Sequence, residues 1–362
     1  SFTYTIRDDD GMVSNEAMVT ITVYPVNDAP VLYVIDDKTI AEGSSLSFMV
    51  DAYDPDLPFD TITFTLDEGP EGATIDPTDG FFSWTPSDGP AFRNVTVRVT
   101  DDGGLSSVET FTVVVENVAP VITQLVSSAP AVGDAKPGDT VSISGIFTDP
   151  GILDTHSALI DWGDGTVTAA MINETSQSFS GAHAYTTGGI FEIVVKLSDD
   201  DFGTNEQKTA ALVTGARVKD GELQVVGTKG DDDLNINEAA RNFFRSYRLG
   251  PRRDRGGVDQ RESMLLVHAD FLSDHSNFVT FNARNVESIK ILLGDGNDHA
   301  HIAGNIALPV FIDGGSGKDH LIAGRGPTTL IGGDDIDKLI GGKGDDLLKG
   351  GAGNDLLIGG PG

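Results

Sequence analysis

Aspartate returns at a nine-residue interval near the C-terminus. Counting from Gly314, the segments GGSGKDHLI, AGRGPTTLI, GGDDIDKLI, GGKGDDLLK and GGAGNDLLI follow one another without a gap. The sixth position is Asp319, Thr328, Asp337, Asp346 and Asp355, and the eighth is always leucine, from Leu321 to Leu357. Glycine in the early positions permits tight turns with positive φ and lets backbone carbonyls converge. A carboxylate set against converging carbonyls is a group of hard oxygen donors. Calcium, which takes six to eight oxygens in irregular geometry, suits such a group; magnesium demands a tight octahedron, and zinc prefers nitrogen or sulfur.

Two nonapeptides make one 18-residue coil, so turns on one side stack once per pair of repeats. That places Asp319, Asp337 and Asp355 in one column, and Thr328 with Asp346 in the other. The leucines then point into a narrow shared core, which is a parallel β-helix or β-roll. Looser turns at GTKGDDDLNI (227–236) and LGDGNDHAHI (293–302) add Asp232 and Asp298 as candidate ligands. The pattern also has flaws. Thr328 replaces an aspartate, so its site with Asp346 should be weak or empty. Asp335 and Ile336 stand where glycine and a variable residue are usual. His301 lies one such coil before Asp319, which leaves that aspartate without an upstream carboxylate. Residues 303–313 break the register and predict a longer coil, and 218–292 read as an irregular β-helical lead-in. The nonapeptide resembles the RTX, or hemolysin-type, calcium-binding repeat.

Residues 1–217 are built differently. Runs such as MVTITV, DTITFTL, NVTVRVT and FEIVVKL alternate β-branched and polar residues, and Gly, Pro, Asp and Asn clusters separate them. Period-two alternation between turn clusters predicts antiparallel sandwiches. Two similar junctions, VYPVNDAPVL (23–32) and VVENVAPVIT (114–123), divide the region into 1–26, 27–117 and 118–217. The fold class expected is all-β: a string of immunoglobulin-like β-sandwiches followed by a parallel β-helix or β-roll over 218–362. Residues 1–26 supply only two strands and a turn, too few to bury a face. Their missing strands are expected outside this segment or from another chain.

FTYTIRDDDGMVSNEAMVTITVYPVNDAP resembles the end of a cadherin-like repeat. Residues 27–117, with AEGSSLSFMVDAYDPD, DGFFSWTPSD and VTDDGGLSS, resemble the cadherin-like, immunoglobulin-type modules of bacterial surface proteins. Residues 118–217 resemble a PKD (polycystic kidney disease) domain at DWGDGT (161–166), HAY (183–185) and VKLSDDDFGT (195–204). In an immunoglobulin-like unit the N-terminal linker, the B–C loop and the F–G loop lie at one end. For 27–117 this converges Asn27, Asp28, Asp51, Asp54, Asp56, Asp101 and Asp102, and the resemblance implies calcium there too. The corresponding set in the PKD-like unit is Asp149, Asp154, Asp199, Asp200 and Asp201. In DWGDGT, Trp162 and the glycines are expected to shape a hairpin turn, and His183 to be a packed strand residue.

The whole composition agrees with cation binding. The 362 residues carry 56 Asp+Glu against 24 Lys+Arg, a net charge of −32 that repels nucleic acid and membrane surfaces. There is no cysteine, which excludes disulfides and thiolate metal sites. No apolar run of membrane-spanning length occurs. No EF-hand loop or Gly-x-Ser-x-Gly elbow fits, and GGSGKD at 314–319 belongs to the nonapeptide beat rather than to a phosphate loop. His299 and His301 alternate on one face and could bind a transition metal, but two histidines alone read as surface residues. Seven of the thirteen arginines fall within 241–261, the only basic island; the stretch reads either as an insertion between two strands of the roll or as a contact for an acidic partner, with Arg252, Arg253 and Arg255 the candidate contacts. Such a partner is another copy of the protein, assembling a fibre or surface layer, or an anionic glycan. The chain begins without Met and ends in mid-pattern, as expected of a segment of a longer protein. The expected function is a non-enzymatic calcium-binding structural or adhesive segment, extracellular or at the cell surface. The alternative is a secretion and folding module of a larger extracellular enzyme.

Overall fold

A computed structural model of the protein describes residues 1–23, 26–58, 60–240, 263–272 and 277–361. Arg252, Arg253 and Arg255 lie outside the described residues. The chain forms two compact units, Ser1–Val118 with Pro150–Leu153, and Ala119–Asp149 with Asp154–Gly362.

In the first unit, strands Phe2–Tyr4 and Ala17–Val19 pair only with each other, and almost all their side chains are exposed. The sandwich follows. One sheet runs in the order Lys38–Ala41, Ser106–Glu116, Ala91–Asp101, Ile62–Glu68, and the other joins Leu46–Met49, Phe81–Trp84 and Thr74–Ile75. Alternation drives this fold: Val95, Val97 and Val99 face inward with Phe111, Val113 and Val115, and all six are buried against Phe64, Phe82 and Trp84. Each such side chain is worth ~1.5–3 kcal/mol when removed from water.

The second unit starts with another sandwich. Its sheets are Val121–Ser127, Thr140–Thr148, Ser178–Ala184, Met171–Asn173, and Val167–Ala169, Ser157–Asp161, Gly189–Ser198, Thr204–Val213. Trp162 is fully buried at the start of the 161–166 turn, and its indole N–H donates to Thr168 Oγ1 at 2.8 Å. The Tyr185 hydroxyl donates to the Trp162 carbonyl at 2.9 Å, and the His183 ring stacks on Trp162 at 5.3 Å. These residues therefore pack the core around a tight turn, in which Gly163 and Gly165 take φ of +73° and +95°.

The roll has two parallel sheets joined by turns. One contains Glu222–Val226, Ser288–Asp295, Val310–Ser316, Thr328–Asp334 and Leu347–Ala352, and the other Asp233–Ala240, His299–Ile302, His320–Ile322, Lys338–Ile340 and Leu356–Ile358. From 310 onward every coil is two nonapeptides long: Ile312 pairs with Leu330, Leu330 with Leu348, and Leu321 with Leu339. The preceding coil is longer, since Ile291 pairs with Ile312. The lead-in pairs Val225 with Ile291 and carries an antiparallel extension, Ser263–Ala269 and Phe278–Asn282, at the edge of the second sheet. Leu321, Leu330 and Leu339 are wholly buried, whereas Leu357 on the edge strand is 46% exposed.

Candidate metal centres

The roll turns build a column of carboxylates. The backbone N–H of each donates to Oδ1 of the next: Asp232 to Asp298 at 2.8 Å, Asp298 to Asp319 and Asp319 to Asp337 at 2.9 Å, and Asp337 to Asp355 at 3.0 Å. Asp319 therefore does have an upstream carboxylate. His301 stands two nonapeptides earlier, but the 303–313 insertion lengthens this coil and brings Asp298 into place instead. In the opposite column the Thr328 N–H donates to Asp346 Oδ1 at 3.0 Å, while the Thr328 hydroxyl donates to the Gly326 carbonyl.

The second oxygen of each carboxylate is the informative one. Oδ2 of Asp298, Asp319, Asp337 and Asp346 is shielded from solvent and has no hydrogen-bond partner. A buried carboxylate oxygen left so is costly unless a cation meets it. The early glycine of each turn keeps that space open. A Cβ added at Gly314 would stand 2.1 Å from Asp319 Oδ2 and 2.7 Å from the Gly332 carbonyl oxygen. At Gly332 it would stand 2.2 Å from Asp337 Oδ2 and 2.6 Å from the Gly350 oxygen. A carboxylate and a carbonyl of the next coil thus aim at one small volume, a donor set of hard oxygens that fits calcium.

In the first unit, Asp54, Asp60 and Asp101 are buried, and one carboxylate oxygen of each lies within 4.8 Å of the others. Oδ2 of Asp54 and of Asp60 has no hydrogen-bond partner. Around them, Asn27 Nδ2 donates to Asp101 Oδ2 at 2.9 Å, the Asp28 N–H to Asp56 Oδ2 at 2.9 Å, and the Asp102 N–H to Asp60 Oδ1 at 3.3 Å. Asp51 is exposed and contributes a backbone carbonyl to the Tyr33 N–H. Sequence reasoning misses Asp60, although it closes the loop DAYDPDLPFD; the pairing of Asp101 with Ile62 brings it in.

In the second unit, Asp154 belongs to two overlapping groups, one with Asp149 and Asp199 and one with Asp200 and Asp201. Asp149 also meets His156 Nε2 at 3.1 Å, and His156 Nδ1 meets Glu174 Oε2 at 2.9 Å. Burial opposes charge on His156, yet Asp149 and Glu174 outweigh it and raise the imidazole pKa. His156 is seated beside these acids, and nothing in the sequence pattern marks it.

Residues 310–330 and 331–362 match the family model "RTX calcium-binding nonapeptide repeat (4 copies)". Residues 310–362 of the roll carry RTX calcium-binding repeats. Residues 29–116 match the model "Putative Ig domain". No curated protein matches the chain. Among solved structures, the PKD1 domain of Vibrio anguillarum Epp is similar at 21% identity, over 28% of this chain and 99% of its own, with a TM-score of 0.21. A PKD domain of an M14-like peptidase from a Thermoplasmatales archaeon is similar at 19% identity, over 27% of this chain and 97% of its own, with a TM-score of 0.23. Human CDH23 EC21-23 is similar at 19% identity, over 58% of this chain and 72% of its own, with a TM-score of 0.33.

Calcium is the cofactor of the RTX array, and bound there it would neutralise charge that the fold itself concentrates. Burial, together with the Asp232 and Asp319 carboxylates, pushes Asp298 up to about 7. Burial and Asp337 push Asp319 up to about 6. Asp232, Asp337 and Asp346 are also raised, each chiefly by burial. No helix among the described residues is long and apolar enough to cross a membrane.

Proposed function

We propose that the chain is a non-enzymatic structural and adhesive segment of an extracellular or cell-surface protein, in which calcium folds the RTX roll and stiffens the sandwich string. The observation that carries this reading is the column of shielded, partnerless Oδ2 atoms stacked coil upon coil. With a net charge of −32 the ion-free chain repels itself, and an ion bound only by the folded state adds stability by mass action. At a hundredfold excess over Kd that is about 2.7 kcal/mol per site. Adhesion through an acidic partner, a second copy or an anionic glycan, draws support from the basic stretch 241–261.

The test is circular dichroism and thermal melting of the chain in chelator, in calcium and in magnesium. Calcium is expected to raise the melting temperature by several degrees per occupied site, and magnesium to leave it close to the chelator value. Identical melting in all three would overturn the proposal.

A further inference from the structure

Within the second unit, the sandwich and the roll enclose a cleft that the carboxylate columns do not use. Its volume is about 630 Å3, inside the range of ~300–1,000 Å3 typical of small-molecule sites. From the sandwich come Lys136, Pro137 and Asp139, together with Thr186 and Thr187. The roll contributes Phe271, Leu272, Phe278 and Val279. Thr214, Gly215 and Ala216, where the chain passes from one to the other, belong to the lining as well.

The cleft is built before any ligand arrives. The Gly138 N–H donates to the Tyr185 carbonyl at 2.8 Å, which ties the turn carrying Lys136 and Asp139 to the segment carrying the two threonines. The Thr214 N–H donates to the Ala135 carbonyl at 2.8 Å, and its hydroxyl donates to the Gly227 carbonyl at 2.7 Å. One residue thus fastens the sandwich to the roll. Phe271, Leu272 and Val279 pack against the roll core, so their places are fixed as well. A preformed cleft spares a ligand the entropy of ordering its own site.

We propose that this cleft binds a neutral pyranose unit of a glycan. The inference rests on the adhesive reading given above and places an adhesive contact here. A pyranose ring has an apolar C–H face and a rim of hydroxyls that both donate and accept. The lining meets both needs. Phe278 leaves 37% of its surface exposed, and an aromatic ring offers an apolar face with large contact area. Lys136, Asp139, Thr186 and Thr187 are exposed. Lysine only donates, a carboxylate only accepts and threonine does both, which matches a row of hydroxyls. The Lys136 N–H donates to Asp139 Oδ2 at 3.1 Å, which orients the carboxylate. Lys136 and Asp139 are the charged residues of the lining, and their charges cancel. The net charge of −32 over the whole chain repels an acidic sugar, so a neutral one is favoured.

The experiment uses the full chain saturated with calcium and saturation-transfer difference NMR. The probes are D-glucose, D-galactose, D-mannose and N-acetyl-D-glucosamine, with D-glucuronate as the anionic comparison. At least one neutral sugar should receive saturation, most strongly at its ring C–H protons. Phe278→Ala should weaken that sugar by about tenfold through lost apolar contact. Asp139→Asn, which keeps the side-chain shape, should weaken it by about tenfold through a lost charged acceptor. Tyr53→Ala, an exposed aromatic of the first unit, should change nothing. Melting in calcium, measured on the same samples, should be unaltered in the Asp139 variant. A sugar result that fails while the calcium response stands therefore counts against the cleft alone. Transfer to none of the neutral sugars, or equal affinity in both cleft variants and the unmutated chain, would overturn the site. Tighter binding of D-glucuronate than of every neutral sugar would overturn its assignment to a neutral ligand.

Discussion

The N–H of Asp319 donates to Oδ1 of Asp337 at 2.9 Å, although 18 residues separate them, and the same bond links Asp298 to Asp319 across 21. One carboxylate oxygen therefore fixes the register between coils, and the other is left over for a cation. This division of labour makes the aspartates unequal in a predictable way.

Asp319 sits between Asp298 and Asp337, and Asp337 between Asp319 and Asp355, so each borders two cation positions. Asp319→Ala and Asp337→Ala should each lose about two calcium ions by native mass spectrometry, and Asp355→Ala about one. Thr328→Asp should add an ion by completing the pair with Asp346. Equal losses from all three alanine variants would show that the stacking does not govern the sites.

The pH dependence has a definite sign. Unfolded, these carboxyls titrate near the ordinary aspartate value of ~3.9. Folded without calcium, Asp319 is raised to about 6 and Asp298 to about 7. The ion-free fold holds these protons more tightly than the unfolded chain does. That contribution is fully present below the unfolded value and is lost as pH rises through 6 to 7. In chelator the roll should melt higher at pH 5 than at pH 8; in calcium the order should reverse, because the ion needs the carboxylates ionised. Calorimetry at neutral pH in buffers of different ionisation heat should register proton release on calcium binding.

Asp60→Ala should remove about one ion from the first unit, because Asp60 completes the buried group with Asp54 and Asp101. Asp51→Ala should remove none, since that side chain is exposed and outside the group. Loss of an ion from Asp51→Ala alone would reassign the site.

Arg217 joins the second sandwich to the roll within the second unit. Its guanidinium lies 3.6 Å over the Phe191 ring, its Nε donates to Gln224 Oε1 at 2.9 Å, and its Nη2 donates to the Ile190 carbonyl. Arg217→Ala should cost about 2 kcal/mol, because it leaves half-buried acceptors unmet and strips the ring of its cation. Differential scanning calorimetry in calcium should show one transition for the two parts in the unmutated chain, and two in the variant.

The roll was largely legible in the sequence because its order is local. Glycine turns, an aspartate at the sixth place and leucine at the eighth repeat the same backbone conformation, and an 18-residue coil follows from two such units. Sandwich alternation was legible for the same reason: inward Val95, Val97 and Val99 are set by the period of the strand. Tertiary structure decided which residues meet across coils and strands. Asp298 above Asp319 depends on how far the 303–313 insertion lengthens one coil. Asp60 beside Asp101 depends on the register of two antiparallel strands. Spacing in the chain encodes conformation, whereas contact between distant residues is chosen by the packing of the core behind them.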